Sequence, residues 1–301
     1  MGVTESEDPP VGETYGPDNH GRWGADDQRG TLNLIDPEAV VAATRLVKDG
    51  RVIPLGVPID RSGPVFGDRD RPWHHIRYRT DPLTGFADDL LVLNSHTGTH
   101  IDGLSHGFLR GSMYNGYRVD EHVSSFGATR NAIINVGGIV TRGVLLDVAR
   151  NMGVRHLEPG FVIDGDLLES CEMEQGVRVG KGDACLVRTG WQQVVKEERA
   201  AGRPLSFAQP GLGSGVANWF FSRQACLLGA DNAAVDALPG EPGVRPFGLH
   251  PRILAQQGGY LLEFLDLDEL SEAGAGEFLF IAAPLPLVSA TGSPLNPLAI
   301  I

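Results

Sequence analysis

The stretch Leu90-Leu91-Val92-Leu93-Asn94-Ser95-His96-Thr97-Gly98-Thr99-His100-Ile101-Asp102-Gly103-Leu104-Ser105-His106 decides how the rest of the chain is read. Its four leading apolar residues predict a buried strand, and the polar run behind them places chemistry at the strand's end. Short apolar runs recur at Val144-Leu145-Leu146, Ala184-Cys185-Leu186-Val187, Cys226-Leu227-Leu228 and Tyr260-Leu261-Leu262, each bounded by polar residues or glycine. Helical patterns lie between them at 166–175, 191–201, 215–224 and 251–257. An earlier helix is expected at 36–48, with Asp36 as cap, Pro37 in the first turn and Gly50 just past its end. This irregular alternation predicts an α/β fold: one compact domain over 21–301, with a mixed β-sheet and flanking helices. Residues 1–20, polar and rich in Pro and Gly, read as a flexible N-terminal segment with no apolar run suited to a signal peptide.

Three of the nine histidines fall within eleven residues of that stretch. A helical reading would put His96 and His100 on one face, but Thr97, Gly98 and Thr99 are poor helix formers and Asp102 would point elsewhere. An extended reading puts His96, His100 and Asp102 on one face, yet separates the two imidazoles by roughly 13 Å at ~3.3 Å per residue. Two nitrogens on one zinc ion, each ~2.0–2.1 Å from it, stand at most about 4 Å apart. The chain must therefore bend at 97–99, and Gly98 is the residue able to take the required torsion angles. Imidazole and carboxylate without thiolate select Zn²⁺, Mn²⁺ or Fe²⁺.

Composition narrows the function classes. Against 25 Lys and Arg stand 38 Asp and Glu, a formal charge of −13 that repels phosphate backbones and anionic membranes. No nucleic-acid or membrane partner is expected. The uncharged tail from Phe278 to Ile301 carries Pro284, Pro286, Pro294 and Pro297, which would break a spanning helix, so it reads as buried strand and loop. The three cysteines have no CxxC spacing, which argues against a disulfide framework and suits a reducing cytoplasm. Gly103-Leu-Ser105-His-Gly107 satisfies the GxSxG elbow of serine hydrolases, but candidate ligands crowd the stretch where the elbow's strand belongs. Gly211-Leu-Gly213-Ser-Gly215 lacks the third Rossmann glycine and reads as the start of a helix. Asp231-Asn232 ends a strand, either as support for a site or as a simple turn.

The run His96-Thr-Gly-Thr-His100-Ile-Asp102-Gly-Leu-Ser-His106 resembles the HxGTHxDxxxH signature of the cyclase family of metal-dependent hydrolases. That family includes bacterial kynurenine formamidases, isatin hydrolases and cyclic imide hydrolases. Arg22-Trp23-Gly24-Ala25-Asp26-Asp27-Gln28-Arg29-Gly30-Thr31-Leu32-Asn33, Leu186-Val187-Arg188-Thr189-Gly190-Trp191 and Thr291-Gly292-Ser293-Pro294 extend the likeness to its longer members. The resemblance implies a swivelling β/β/α-like fold. It also implies that His96, His100 and Asp102 bind metal, that His106 is the acid/base, and that His250 and Glu263 complete the ligand set. Trp23 corresponds to the family's substrate-stacking tryptophan. The implied reaction is cleavage of an amide, cyclic imide or lactam C–N bond with one or two Mn²⁺ or Zn²⁺ ions per chain. Alternatives within the resemblance are a lactone hydrolase, a polyketide cyclase or a non-catalytic metal-binding homologue. A small aromatic or cyclic substrate and a homodimer or homotetramer are further expectations of this kind. The local reading agrees on Glu263, since a carboxylate in an apolar strand is costly to bury unless a cation meets it.

Overall fold

Val144, Leu146, Cys185, Val187 and Leu228 alternate along their strands with Leu145, Ala184, Leu186 and Leu227, and all nine are buried. The first set joins one hydrophobic core and the second set another. These strands are therefore apolar on both faces, as the covered middle of a parallel sheet requires. The computed structural model describes residues 16–240 and 246–301 and shows that sheet.

Along the chain, β1 (Val52–Pro54) is followed by a long hairpin, β2 (Trp73–Thr80) and β3 (Gly85–Val92), and then by β4 (His100–Asp102). Next come β5 (Ile139–Asp147), β6 (Ala184–Arg188), β7 (Leu227–Ala230), β8 (Tyr260–Glu263), β9 (Glu277–Ala282), β10 (Gly292–Pro294) and β11 (Leu298–Ile300). The main sheet has nine strands in the order β1-β11-β9-β5-β6-β7-β8-β4-β10. Strands β5 to β8 run parallel, and the strands added on either side are antiparallel. The expected α/β domain with a mixed sheet and flanking helices is what the chain forms.

Four helices match their sequence signals: α1 (Pro37–Thr44), α2 (Gly165–Gln175), α3 (Trp191–Ala200) and α4 (Val216–Arg223). Asp36 and Asp164 cap α1 and α2 by accepting from Ala39 N and Leu167 N, each at 2.9 Å. Helices α2 and α4 bury Leu168, Cys171, Ala217 and Phe220 in the first core. The fifth expected helix, at 251–257, takes another form. A single turn over Leu249–Pro251 passes into a π-helical segment, Arg252–Gln256. Such segments are rare and frequently sit at functional sites.

Two other expectations meet the structure differently. The run at 90–93 is not a buried strand: Leu90, Leu91 and Val92 are 47%, 56% and 57% exposed, in a hairpin outside the main sheet. Apolar character alone does not separate a core strand from an apolar arm. Of the segment expected to be flexible, residues 1–15 lie outside the described residues, while Asn19 is buried and its Nδ2 donates to Gln257 O at 2.8 Å. The uncharged tail forms β9, β10 and β11, and no helix among the described residues is long and apolar enough to cross a membrane.

Candidate metal centre

Strand β4 lies between β8 and β10, with Glu263 directly opposite His100 and Leu261 opposite Asp102. His100 and Asp102 share one face of β4, the face on which Glu263 stands, while Ile101 points into the second core. His96 joins them because the chain turns at Gly98, whose φ is +59°. A Cβ there would meet Ile59 Cγ1 at 2.6 Å, and the Gly98 amide donates to Pro64 O at 2.9 Å. The predicted bend is thus present at the predicted residue. Gly292 makes room on the other side, since a Cβ on it would stand 2.5 Å from His96 Cε1.

His96 Nδ1 is 2.8 Å from Asp102 Oδ1, and its Nε2 is 3.1 Å from Thr291 Oγ1. His100 donates from Nδ1 to Gly98 O at 2.8 Å, which turns Nε2 inward, 3.1 Å from Glu263 Oε2 and 3.6 Å from Asp102 Oδ1. His250 is arranged in the same way. Its Nδ1 lies 2.7 Å from Asp236 Oδ2, and its Nε2 lies 3.0 Å from Glu263 Oε1 and 3.6 Å from Asp102 Oδ2. His106 Nε2 is 3.9 Å from Asp102 Oδ1. Two groups of potential ligand atoms fall within 4.8 Å of one another: His96, Asp102 and His106, and Asp102, His250 and Glu263. Asp102 belongs to both, the position of a bridging carboxylate. His106 stands in the first group where the resemblance implied His100, whose Nε2 faces Glu263 and Asp102.

The donor set fits a divalent cation. Asp102 Oδ2 is buried without a hydrogen-bond partner, a costly state that a cation would relieve. Burial opposes the charge on Asp102, yet the imidazoles of His106, His96 and His100 hold its carboxyl well below the usual range. Burial and the Asp102 charge likewise oppose ionisation of Glu263, and His100 and His250 outweigh them, bringing it to about 2. Both acids are thus held as carboxylates at the heart of the site, and positive charge must gather there. His250 shows it: burial works against its protonation, but hydrogen bonds to Asp236 and Glu263 raise it well above the ordinary imidazole value. His106 differs. Burial, helped by His96 and His250, pushes it down to about 4 although Asp102 pulls the other way. Its side chain is 27% exposed, against 8%, 1% and 12% for His96, His100 and His250, so it alone of the four opens appreciably to solvent.

Several contributors escaped sequence reading. Asp236 holds His250 Nδ1 and also accepts from Leu249 N at 2.9 Å; its only signal is its place just beyond the Asp231-Asn232 strand end. Asp231 proves to be a support. It accepts from Thr189 N, Thr189 Oγ1 and Gly190 N at 2.6–2.8 Å, tying the end of β6 to that of β7. Asn232 O accepts from Phe264 N at 2.8 Å, beside Glu263. Phe247, edge-on to His250 with centroids 5.8 Å apart, continues through Phe66 to Phe207 as an aromatic cluster. Trp23 is half-buried against the second core, with the Arg22 guanidinium 4.8 Å from its ring centroid. The GxSxG elbow fails on its serine. Strand β4 does run into Gly103, but Ser105 Oγ is buried with no hydrogen-bond partner and no helix follows.

Residues 53–237 match the model of a family described as "Putative cyclase". An isatin hydrolase from Roseibium aggregatum is 25% identical over 218 residues, covering 72% of this chain and 75% of the relative. A crystal structure described as a novel cyclase superposes with a TM-score of 0.85 at 32% identity, covering 95% of this chain and all of that one. Isatin hydrolase A from Labrenzia aggregata, bound to benzyl benzoate, superposes with a TM-score of 0.61 at 23% identity, covering 88% of this chain and 98% of the other.

Proposed function

Because the chain belongs to the cyclase family, we propose that it is a metal-dependent hydrolase cleaving the C–N bond of an amide, cyclic imide or lactam, with His106 as acid/base. The observation that carries this reading is Asp102: fully buried, ionised, common to both ligand groups and with one oxygen unpartnered. His96, His100, Asp102, His250 and Glu263 would hold the cation, Mn²⁺ or Zn²⁺. A bound divalent cation supplies Lewis acidity, lowering the pKa of a water towards ~7 and polarising the scissile carbonyl.

The chain's own residues supply the rest. Asp236 and Gly98 O fix the Nδ1 sides of His250 and His100, so both present Nε2 to the centre. His106 is neutral at pH 7, so its Nε2 can accept the proton of the attacking water and return it to the leaving nitrogen. Phe247 and its aromatic neighbours offer faces for a flat ring beside His250; the family resemblance adds Trp23 as a second stacking face. The distant likeness to isatin hydrolases supports a cyclic amide among the substrates.

Turnover of isatin, a formanilide, cyclic imides and lactones, each measured before and after chelation and after return of Mn²⁺ or Zn²⁺, tests the proposal. C–N substrates should be cleaved only when metal is restored. Full activity after exhaustive metal removal, or turnover confined to lactones, contradicts it.

A further inference from the structure

The turn Leu249–Pro251 and the π-helical segment Arg252–Gln256 join two candidate ligands, His250 at one end and Glu263 beyond the other. A π-helical run this brief has little stability of its own, and its last carbonyls find no partner within the helix. Gln257 N closes one wide turn on Arg252 O at 3.1 Å. The carbonyls from Ala255 to Gly258 are met by residues 19–31, far away in sequence. His20 donates from Nε2 to Ala255 O at 2.9 Å. Asn19 donates from its backbone N to Gln256 O at 3.3 Å and from Nδ2 to Gln257 O at 2.8 Å. Thr31 N completes the set at Gly258 O, 2.8 Å away. Gln256 returns the grip, its Nε2 donating to Gly16 O and Pro17 O at 2.9 and 3.2 Å.

The capped segment borders the metal centre on three sides. His250 precedes it, with Nε2 3.0 Å from Glu263 Oε1, and Glu263 follows it. Across from both, buried Leu254 packs against Gly107, where a Cβ would meet Leu254 Cδ1 at 2.7 Å, and Gly107 directly follows His106. We propose that Asn19 and His20 are positioning residues of the metal centre: by capping the π-helical segment they hold His250 against Glu263 and fix the backing of His106. The proposal rests on the reading of His250 and Glu263 as metal ligands. Neither Asn19 nor His20 reaches the centre; both act through backbone carbonyls.

Two full-length variants test it. His20 is exposed and stands edge-on to Tyr114 with centroids 5.8 Å apart, so His20→Phe keeps a ring there and removes the donor. Asn19→Ala removes the Nδ2 donor, together with the Oδ1 that accepts from Arg22 Nη1 at 3.0 Å. In competition with a chromophoric chelator, Zn²⁺ affinity should fall about tenfold in each, the low end of the span for outer partners of ligating histidines. The visible spectrum of the Co²⁺-loaded protein, which reads coordination geometry, should change in both. His20→Gln, whose amide nitrogen can take the place of Nε2, should restore the wild-type affinity and spectrum. Variants that lose stability in urea yet keep the wild-type affinity and Co²⁺ spectrum would make residues 19–20 a structural clamp and overturn the proposal alone. Failure of His20→Gln to restore either property would deny the His20 donor its role. A wild-type chain that binds neither Zn²⁺ nor Co²⁺ would overturn the metal reading itself, and the proposal with it.

Discussion

At the scale of single residues, the four site histidines divide by what holds their rings. His96, His100 and His250 are each hydrogen-bonded at Nδ1, to Asp102, Gly98 O and Asp236. His106 is the most exposed of the four and touches Asp102 only at 3.9 Å. His106→Ala should therefore leave metal content unchanged while lowering turnover by roughly 10²–10⁴-fold, the span of a positioned acid/base. Mass spectrometry of the folded protein and steady-state kinetics check the two halves, and metal loss would make His106 a ligand instead. Asp236 acts through His250. Asp236→Asn should weaken metal binding about 10–100-fold, as for other outer partners of ligating histidines. Competition with a chromophoric chelator measures it, and unchanged affinity would deny Asp236 that positioning role.

At the scale of elements, the site depends on how strand ends are joined. Gly98 occupies a left-handed conformation with Ile59 against its Cα. Gly98→Ala should cost about 1–3 kcal/mol in strain, more if Ile59 cannot yield, and metal content should fall with it. Urea unfolding of the metal-free variant separates the two effects, and wild-type stability with full metal would show that the turn tolerates a Cβ. Asp231 makes a different prediction. Burial raises its carboxyl to about 6, despite the donors at Thr189 and Gly190. Between the ordinary carboxylate range and pH 6 the folded chain holds a proton there that the unfolded chain has lost. This group's contribution to stability therefore falls as pH rises through that window. Asp231→Asn should remove that slope, whatever its fixed cost in hydrogen bonds, in denaturant titrations across the window. An identical pH profile for variant and wild type would contradict the assignment.

Over the whole molecule, legibility followed the reach of each signal. The parallel strands at 144–146, 184–187 and 260–262 and the capped helices could be read because burial on both faces and cap residues are local properties. The bend at Gly98 could be read because metal geometry forbids a straight chain. The exposure of Leu90 to Val92 could not, since a run of leucines looks alike in a core and on an arm. Asp236, the contact of Thr291 with His96 and the Phe66–Phe207–Phe247 cluster stayed hidden because they meet the site only through the tertiary fold. The sheet order explains why the ligands come from distant segments: β4 is inserted beside β8, bringing residues 96–106 against His250 and Glu263. The proposed chemistry requires a cation gathered at that junction. Anomalous difference density from crystals soaked in Mn²⁺ tests it most directly. A peak within ~2.0–2.3 Å of the Asp102 carboxylate, with His250 and Glu263 turned towards it, is the predicted result. No peak at Asp102, with its carboxylate instead paired to protonated imidazoles, would contradict it.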